Sequence, residues 1–578
     1  MKDIYRCIAD HPLPLRQAIA RRWGLPATRP DTPGDDLSEA EALADALLAS
    51  PRAGEVLASL SEGAREALAT LARAGGALPA HRLRGYGSIR RMGPVRLARE
   101  QPWLAPANPL EELLYAGLLY RAYGSTEAQL GEMLLAPEEL LALVRPLLGA
   151  QEPAALEALA GVPGASAQGD ALAEDILAVL AHLRAAPAQG LDAEPDPLAT
   201  GYSPERLDLG ERMRGPRSAE RLALIRQLLW RLRLVRNTRQ GVQPALRARD
   251  WLRLAAGLHR RRTLFVAWRD DTQWNELWHL PEIRIDLGER PAPSLPRARR
   301  LLVETLARAP RGDWVSIAAF VALLKRERPD YLRADGDWES LLARSAETGE
   351  YLTGFGAWDA VEGALAEHIV THSLYWLGAV ELGTAGDGAP FACRLSPEGW
   401  GLVDAEAGSP GEEPAEAEPS PGEATVEALE EALTVTIPVA GTMYERYQLE
   451  RFAEWRSQEE TAVYCVTPES VWNSQSAEIT VAQIEKFLQR ITGGHLPADA
   501  QRTLHAWGGR YGRAFLRRVA ILETADEETM GQIQAQPRVR RLLGRSLSRR
   551  SCLVAEEDVA ELLALLREQG IWSHVRGD

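Results

Sequence analysis

Apolar residues in the N-terminal 403 residues recur mostly at helical spacing. After Ser61, the positions that repeat at i, i+3, i+4 and i+7 are Ala64, Ala67, Leu68 and Leu71. This spacing predicts one face of an amphipathic helix, which Gly75-Gly76 would end. The same spacing recurs after Ser316, a residue type that caps helix N-termini. The pattern predicts a mainly α-helical N-terminal part.

Pairs of short apolar segments, each pair separated by a polar or glycine-containing loop, interrupt this helical pattern. The pairs are 117–121 with 132–135, 232–235 with 245–249, and 377–382 with 391–395. A helical stretch followed by a two-stranded hairpin is typical of a winged helix. We therefore predict winged-helix-type α+β units at 61–145, 217–295 and 296–403. The remaining parts are a helical segment at 1–60 and a helical or loop connector at 146–216. Unrelated helix–hairpin connections remain an alternative for each copy.

The stretch 404–432 differs from its surroundings in composition. It contains several Pro and Gly, and from Asp404 to Leu433 there are ten acidic residues and no Lys or Arg. Like charges with few apolar groups do not form a core. We therefore predict an acidic disordered linker at 404–432.

Beyond the linker, 433–578 alternate between β-type and helical segments. The predicted elements are a strand at 433–439, a helix at 444–456, a strand at 461–466, a helix from Thr467-Pro468, a strand at 514–522 and a last helix that ends before Gly570. Capping-box spacings occur at Thr480 with Gln483 and at Thr524 with Glu527. The predicted fold class is therefore mainly α with winged-helix-type α+β units, followed by a C-terminal α/β domain.

The sequence lacks the motifs of several functional classes, namely membrane proteins, proteins with CxxC sites and proteins with a phosphate-binding loop. No apolar run reaches the length of about 18 residues that a membrane helix needs, and neither a CxxC pair nor the Gly-Lys of a phosphate-binding loop occurs. His368 and His372 are four apart on a predicted helix, but Ile369 occupies the Glu position of an HExxH motif and no third ligand is evident nearby. We interpret both as core or half-buried histidines. The sequence predicts a non-enzymatic protein with no catalytic residue, cofactor or metal, soluble in the cytoplasm and nucleoid-associated if it binds DNA.

Arginine is unevenly distributed along the chain. From Arg217 to Arg300 there are 19 Arg and 8 acidic residues, and from Arg502 to Arg550 there are 11 Arg and 4 acidic residues, although the net charge of the chain is −15. Guanidinium groups bind phosphate oxygens and release counterions without reading base sequence. The candidate nucleic-acid-binding residues are Arg236, Arg239, Arg247, Arg249, Arg260, Arg261, Arg262, Arg538, Arg540, Arg541, Arg545, Arg549 and Arg550. Solvated faces, or surfaces that dock the chain's own acidic linker, remain the alternative.

Parts of the sequence resemble known proteins. The runs GGALPAHRL at 75–83, GYGSIR at 85–90, PW at 102–103 and EELLYAGL at 111–118, together with 376–383 and 391–399, are similar to bacterial helicase-associated proteins. The segment 433–570, which contains YCVTPES at 464–470, resembles a module related to the N-terminal domain of XPB-type helicases. The resemblance implies DNA binding, with the XPB-like module tied to damage recognition or to regulation of a motor. The ATPase motor itself is missing from this sequence.

The leading hypothesis is a non-enzymatic protein that binds duplex or forked DNA through winged-helix units and the XPB-like domain. A separate helicase or nuclease subunit is a candidate partner, in DNA repair or transcription, and no membrane partner is expected. The alternative is an interaction scaffold of a multi-subunit complex without direct DNA contact. In that case the winged helices pack against protein, and the acidic linker recruits basic partners.

Overall fold

The computed structural model describes residues 3–26, 36–125, 130–148, 156–186, 209–254, 257–286, 295–333, 338, 341–386, 388–404, 424–429, 431–510 and 519–575. The chain divides into two compact units. The first unit comprises Met1–Thr425, Thr434–Cys465 and Arg490–Gly494, and the second comprises Val426–Leu433, Val466–Gln489 and His495–Asp578. The segment 434–465 therefore packs within the first unit, although the sequence predicts one domain at 433–578.

Helices and one small sheet form the N-terminal part of the first unit. The helices are Ile4–Ala9, Leu13–Arg22, Asp36–Leu48, Ala53–Ala58, Glu62–Arg73, Pro94–Glu100, Pro109–Tyr115 and Glu138–Leu148, with 3-10 turns at Ala80–Tyr86 and Pro102–Leu104. The antiparallel sheet has the strand order Ala77–Pro79, Leu130–Leu135, Tyr120–Ser125. The helix predicted after Ser61 is confirmed, because Ser61 Oγ accepts the N–H of Ala64 and the predicted apolar face is fully buried.

The middle of the first unit contains the second predicted hairpin at a shifted position. Its helices and strands are Ala171–Ala185, Ala219–Arg231, Val235–Thr238, Gly241–Pro244, Arg247–Arg253 and Leu258–Arg269. The strand predicted at 245–249 is wrong, because this stretch leads into a helix. The hairpin closes earlier, at Arg239-Gln240, where the Thr238 hydroxyl donates to the Gly241 carbonyl oxygen at 2.7 Å and Gly241 has a φ of +121°. Polar residues fill this turn, so no apolar alternation marks it in the sequence.

A larger sheet combines two short strands near residue 160 with three strands from the last part of the first 404 residues. Its strand order is Ala158–Leu159, Trp314–Ser316, Pro390–Leu395, Val380–Thr384, Gly164–Ser166, and the hairpin predicted at 377–395 is confirmed. A separate antiparallel pair joins Ile283–Ile285 to Ala343–Ser345. The helices are Pro296–Leu306, Ile317–Glu327, Pro397–Asp404 and a longer segment that is π-helical at Asp359–Gly363, α-helical at Ala364–His368 and π-helical at Ile369–Leu374.

Buried arginines tie distant elements of the first unit together. A buried charge costs several kcal/mol unless a counterion and hydrogen bonds compensate it. The fully buried arginines with their carboxylate partners are Arg221 with Asp175, Arg299 with Glu276, and Arg446 with Glu174. Part of the arginine in this sequence is therefore structural and unavailable to a ligand.

The segment 434–465 adds three strands and a helix to the first unit. The strands are Leu433–Pro438, Glu454–Gln458 and Thr461–Val466, and the helix is Met443–Leu449. The helix predicted at 444–456 is thus shorter than expected. It ends at Leu449 because the residues from Glu454 onward pair antiparallel with Thr461–Val466, and the partner strand is invisible to a helical spacing rule.

The second unit contains helices and a three-stranded antiparallel sheet. The helices are Pro468–Ser476, most of Val481–Ile491, Ala498–Gly508, Glu527–Gln534, Pro537–Arg540 and Val559–Glu568, and the sheet order is Val519–Glu523, Ser551–Ala555, Leu543–Ser546. The capping box of Thr480 and Gln483 is confirmed by its two reciprocal bonds. The one expected at Thr524 is wrong, because Asp526 caps the helix by accepting the Thr529 N–H at 2.7 Å.

Most of the predicted acidic linker, 405–423, lies outside the described residues. Within the rest of it, Thr425–Ala428 forms a strand, so the predicted disorder of 404–432 is wrong for this end. In the part of the predicted strand 514–522 that is described, Val519–Glu523 is extended. Among the described residues, no helix combines the length and the apolar character that crossing a membrane requires.

His11 makes the stability of the first unit depend on pH. Its ring stacks on Tyr120 with centroids 5.0 Å apart, and burial lowers the pKa of His11 from 6.5 to about 4. The unfolded chain takes up this proton near pH 6.5, whereas the folded chain resists it until about pH 4. The free energy of unfolding should therefore fall by up to about 3 kcal/mol as the pH decreases through this window.

The substitution H11F keeps an aromatic ring against Tyr120 and removes the titration. Urea unfolding of the two proteins should give free energies that differ increasingly as the pH falls from 6.5 to 4, with the natural protein losing more stability. Curves that stay parallel across this range would contradict the assignment to His11.

Candidate nucleic-acid interface

Four of the candidate arginines lie on or just after the hairpin Val235–Thr238 and Gly241–Pro244. Strand alternation buries Val235 and Val242, so Arg236 faces solvent and Arg239 occupies the exposed turn. Two further exposed positions on the following helix are Arg247 and Arg249. In the described part of the chain, these four guanidinium groups have no carboxylate within ion-pair distance. Their bidentate N–H groups are therefore open to an anion such as a phosphate.

The cluster of Arg260, Arg261 and Arg262 divides between core and surface. Arg260 is 3% exposed and donates to a backbone carbonyl oxygen at 2.6 Å. Arg261 is 8% exposed and pairs with Asp170 at 2.8 Å and with Glu398 at 3.1 Å. Arg262 is half-exposed. The sequence-based placement of Arg260 and Arg261 on a binding surface is therefore corrected, because packing of their helix turns both side chains inward.

The helix before this hairpin, Ala219–Arg231, offers no surface for reading bases. Every residue from Glu220 to Trp230 is buried or half-buried. A recognition helix must present several side chains to the major groove. The exposed groups in this region therefore favour contact with the phosphate backbone.

The remaining candidates lie in the second unit, on the helix Pro537–Arg540 and the hairpin Leu543–Ser546 with Ser551–Ala555. Val554 of this hairpin is buried in the small core of the unit, and Cys552 on the same strand is also buried. All six candidates are exposed: Arg538, Arg540, Arg541, Arg545, Arg549 and Arg550. The structure thus brings these six side chains onto one helix and one neighbouring hairpin of the same unit.

Some of these six arginines already have partners. Arg541 pairs with Glu561 at 2.5 Å, and Arg549 approaches Glu527 at 3.5 Å. Both pairs are exposed, and such pairs contribute about 0–1 kcal/mol, so a phosphate can compete for these guanidinium groups. Among the described residues, no ion pair is formed by Arg538, Arg540 and Arg545.

Arg233 is an exposed arginine that is not among the candidates predicted from the sequence. It follows the helix Ala219–Arg231, directly before the hairpin, and has a φ of +56°. This left-handed conformation is uncommon for a residue with a side chain. The alternation of Arg231, Arg233 and Arg236 with apolar residues is a sequence signal that could have identified it.

Comparison with models of protein families matches residues 428–548 to a helicase conserved C-terminal domain. The match includes Arg538, Arg540, Arg541 and Arg545, and it ends before Arg549. Comparison with curated proteins found no match. A helicase-type domain is compatible with nucleic-acid partners. The match covers this segment alone and relates it to helicase C-terminal domains.

Proposed function

We propose that this protein binds DNA without catalysing a reaction and that exposed arginines of both units contact backbone phosphates. One observation carries the proposal: exposed guanidinium groups without carboxylate partners in the described residues, namely Arg236, Arg239, Arg247, Arg249, Arg538, Arg540 and Arg545. These groups occur in a chain whose net charge is −15. The helicase-type match, which includes the second set, supports a nucleic-acid partner.

We also propose that 61–145, 217–295 and 296–403 are winged-helix-type units. The order of elements supports this for the first of them. The helix Glu62–Arg73 and the strand Ala77–Pro79 are followed, after the helix Pro94–Glu100, by the helix Pro109–Tyr115 and a hairpin. The strand pairs with the hairpin in one sheet. In the winged-helix-type segment 217–295, the hairpin that bears Arg236 and Arg239 would act as a wing along a duplex backbone.

A separate helicase would complement this binding activity. The sequence contains no GxxxxGK[ST] motif, and ATP-driven movement needs a phosphate-binding loop of that kind. This chain would hold duplex or forked DNA, and its XPB-like domain at 433–578 would supply a second contact to DNA or to the motor. A DNA-binding chain that works with a separate motor protein would suit DNA repair or transcription. The protein would then be located at the nucleoid.

The double substitution R236Q/R239Q should weaken binding to duplex DNA. Each phosphate contact contributes about 0.9 to the slope of log K against log[salt], so the slope should become shallower by about 1.8. The affinity at low salt should fall about tenfold or more, because two charge-assisted hydrogen-bonding groups are lost. The measurement is fluorescence anisotropy over a salt series with double-stranded, forked and single-stranded DNA.

The matched control is R96Q/R99Q, which also removes two positive charges. Arg96 and Arg99 are exposed on the helix Pro94–Glu100 and contact Glu100, so the control should bind DNA as the natural protein does.

A separate variant, R538Q/R540Q/R545Q, tests in the same binding assay whether the arginines of the second unit contact DNA. Absence of DNA binding at low salt, or an affinity that does not respond to salt, would contradict the proposal. Protein complexes that survive nuclease treatment and all these substitutions would favour the scaffold.

A further inference from the structure

Three side chains with metal-ligating groups come together in the first unit. Glu220 is the second residue of the helix Ala219–Arg231, and His368 and His372 lie one turn apart on the segment from Asp359 to Leu374. One ligand atom from each side chain lies within 4.8 Å of the other two. Glu220 is 148 residues from His368 in the sequence. The fold therefore supplies the third ligand that the sequence around the two histidines lacks.

The backbone around the two histidines holds their rings in parallel. His368 ends an α-helical turn, and Ile369–Leu374 is π-helical. The two imidazole rings stack with centroids 4.0 Å apart and planes 15° from parallel. π-helical turns are rare in proteins, and those that occur are often at functional sites. The Ser373 hydroxyl holds this turn in place by donating to the buried carboxylate of Glu276 at 3.0 Å.

Hydrogen bonds around His372 leave one of its ring nitrogens for a ligand. The Thr371 hydroxyl donates its hydrogen to the Glu367 carbonyl oxygen at 2.8 Å. Its oxygen, 2.9 Å from Nδ1 of His372, then accepts the Nδ1–H. Nε2 of His372 consequently carries a lone pair. A hydrogen bond from the second ring nitrogen is the usual support of a histidine that ligates a metal.

His368 and Glu220 are already in contact, with Nε2 2.7 Å from Oε1. A metal ion would take the place of the hydrogen between these atoms, and that hydrogen would move to Nδ1 of the imidazole. The two ligand atoms would then separate to about 3.3 Å, as bonds of about 2.0–2.1 Å to a tetrahedral ion require. His368 is buried, whereas Glu220 and His372 are half-buried, so an ion can enter from the solvent side.

We infer that Glu220, His368 and His372 form a binding site for a divalent transition metal of the zinc type. Two imidazole nitrogens and one carboxylate oxygen are donors that Zn²⁺ prefers, and three protein ligands leave a fourth position for water or another ligand. The bound ion links the start of the helix Ala219–Arg231 to the π-helical segment. This site lies apart from the arginines proposed to bind DNA, and it does not depend on them.

Metal titration of the full-length protein tests this inference. Protein freed of metal with a chelator should bind one equivalent of Zn²⁺ or Co²⁺ at this site. Bound Co²⁺ should give the visible absorption of a low-coordinate nitrogen–oxygen site, without the thiolate charge-transfer bands that a cysteine site adds. The substitutions H372Q and E220Q should each weaken binding at least tenfold. E220Q is nearly isosteric and retains a hydrogen-bonding group for His368, so this variant keeps the fold, which circular dichroism checks.

The control is H505Q in the second unit. His505 pairs with Glu485 at 3.0 Å, but no second histidine joins them among the described residues, so metal affinity should stay unchanged. A natural protein that binds neither ion at micromolar concentration would overturn the inference. Folded E220Q and H372Q proteins that bind as tightly as the natural protein would also overturn it, and would leave His368 and Glu220 as an ordinary ion pair.

Discussion

The substitution R299M should lower the free energy of unfolding of the first unit by about 3–5 kcal/mol. The Arg299 side chain is fully buried and donates to Glu276 and to the backbone carbonyl oxygens of Trp268, Asp271 and Trp274, at 2.7–3.3 Å. Methionine fills a similar volume but leaves the carboxylate and three carbonyl oxygens without these donors. Unsatisfied buried groups of this kind account for the largest effects of single substitutions.

Glu276 makes the loss of Arg299 severe. Burial opposes the ionisation of Glu276, yet the Arg299 charge and the indole N–H of Trp268, which donates at 2.7 Å, hold the pKa of this carboxyl below its usual value. Without Arg299, the carboxylate must remain charged in the core or take up a proton. Urea unfolding measures the loss, and amide hydrogen exchange should show faster exchange in the helices Leu258–Arg269 and Pro296–Leu306.

Arg300 provides the neighbouring control. It pairs with Asp270 at 2.6 Å and its side chain is 51% exposed, so R300M should cost less than about 1 kcal/mol. The double substitution R299M/E276M should lower the free energy of unfolding by less than the sum of the two single substitutions. Each single variant leaves one buried charge without its partner, whereas the double variant removes both charges. An R299M protein within 1 kcal/mol of the natural one would refute this role for the pair.

The substitution R446M should destabilise the first unit by about 3 kcal/mol and loosen the segment 434–465. The buried guanidinium of Arg446 donates to both carboxylate oxygens of Glu174, at 2.7 and 2.6 Å, and to Gln458 and Val439. Burial opposes the charge of Arg446, but the Glu174 contacts outweigh it and raise its pKa. These bonds attach the helix Met443–Leu449 to the helix Ala171–Ala185, so both should exchange amide hydrogens faster in the variant.

The control for Arg446 is R456M in the same segment. Arg456 pairs with Glu454 at 2.8 Å, and both side chains are at least half-exposed, so this change should cost less than about 1 kcal/mol. Limited proteolysis adds a direct readout, because a loosened segment is cleaved more quickly. Equal cleavage rates for R446M and R456M would show that other contacts hold the segment in place.

Local spacing predicted those elements that have one apolar face or a standard cap. The helix after Ser61, the hairpin Val380–Thr384 with Pro390–Leu395, and the helix capped by Thr467 lie where the pattern placed them. The hairpin around Arg239 was placed at the wrong residues, and the strand Glu454–Gln458 was missed. Both are largely polar, and their backbone hydrogen bonds come from a partner strand, so neither leaves a periodic apolar signal.

At the candidate sites too, the sequence predicted only part of the result. The arginine-rich stretches show this. Composition identified the two stretches, but it could not separate the buried Arg260 and Arg261 from the exposed Arg236 and Arg239. Burial of an arginine depends on a carboxylate or carbonyl group that another element supplies. For Arg261 that group is Asp170, which is 91 residues away.

The order of residues was sufficient for the mainly helical character, for the arginine enrichment and for the pair of histidines one turn apart. Packing alone decided which guanidinium groups remain open to a phosphate, that 434–465 joins the first unit, and that Glu220 meets His368. The physical reason is range: periodicity and capping act within a few residues, whereas ion pairs and ligand sets join side chains that only the folded chain brings within a few ångströms.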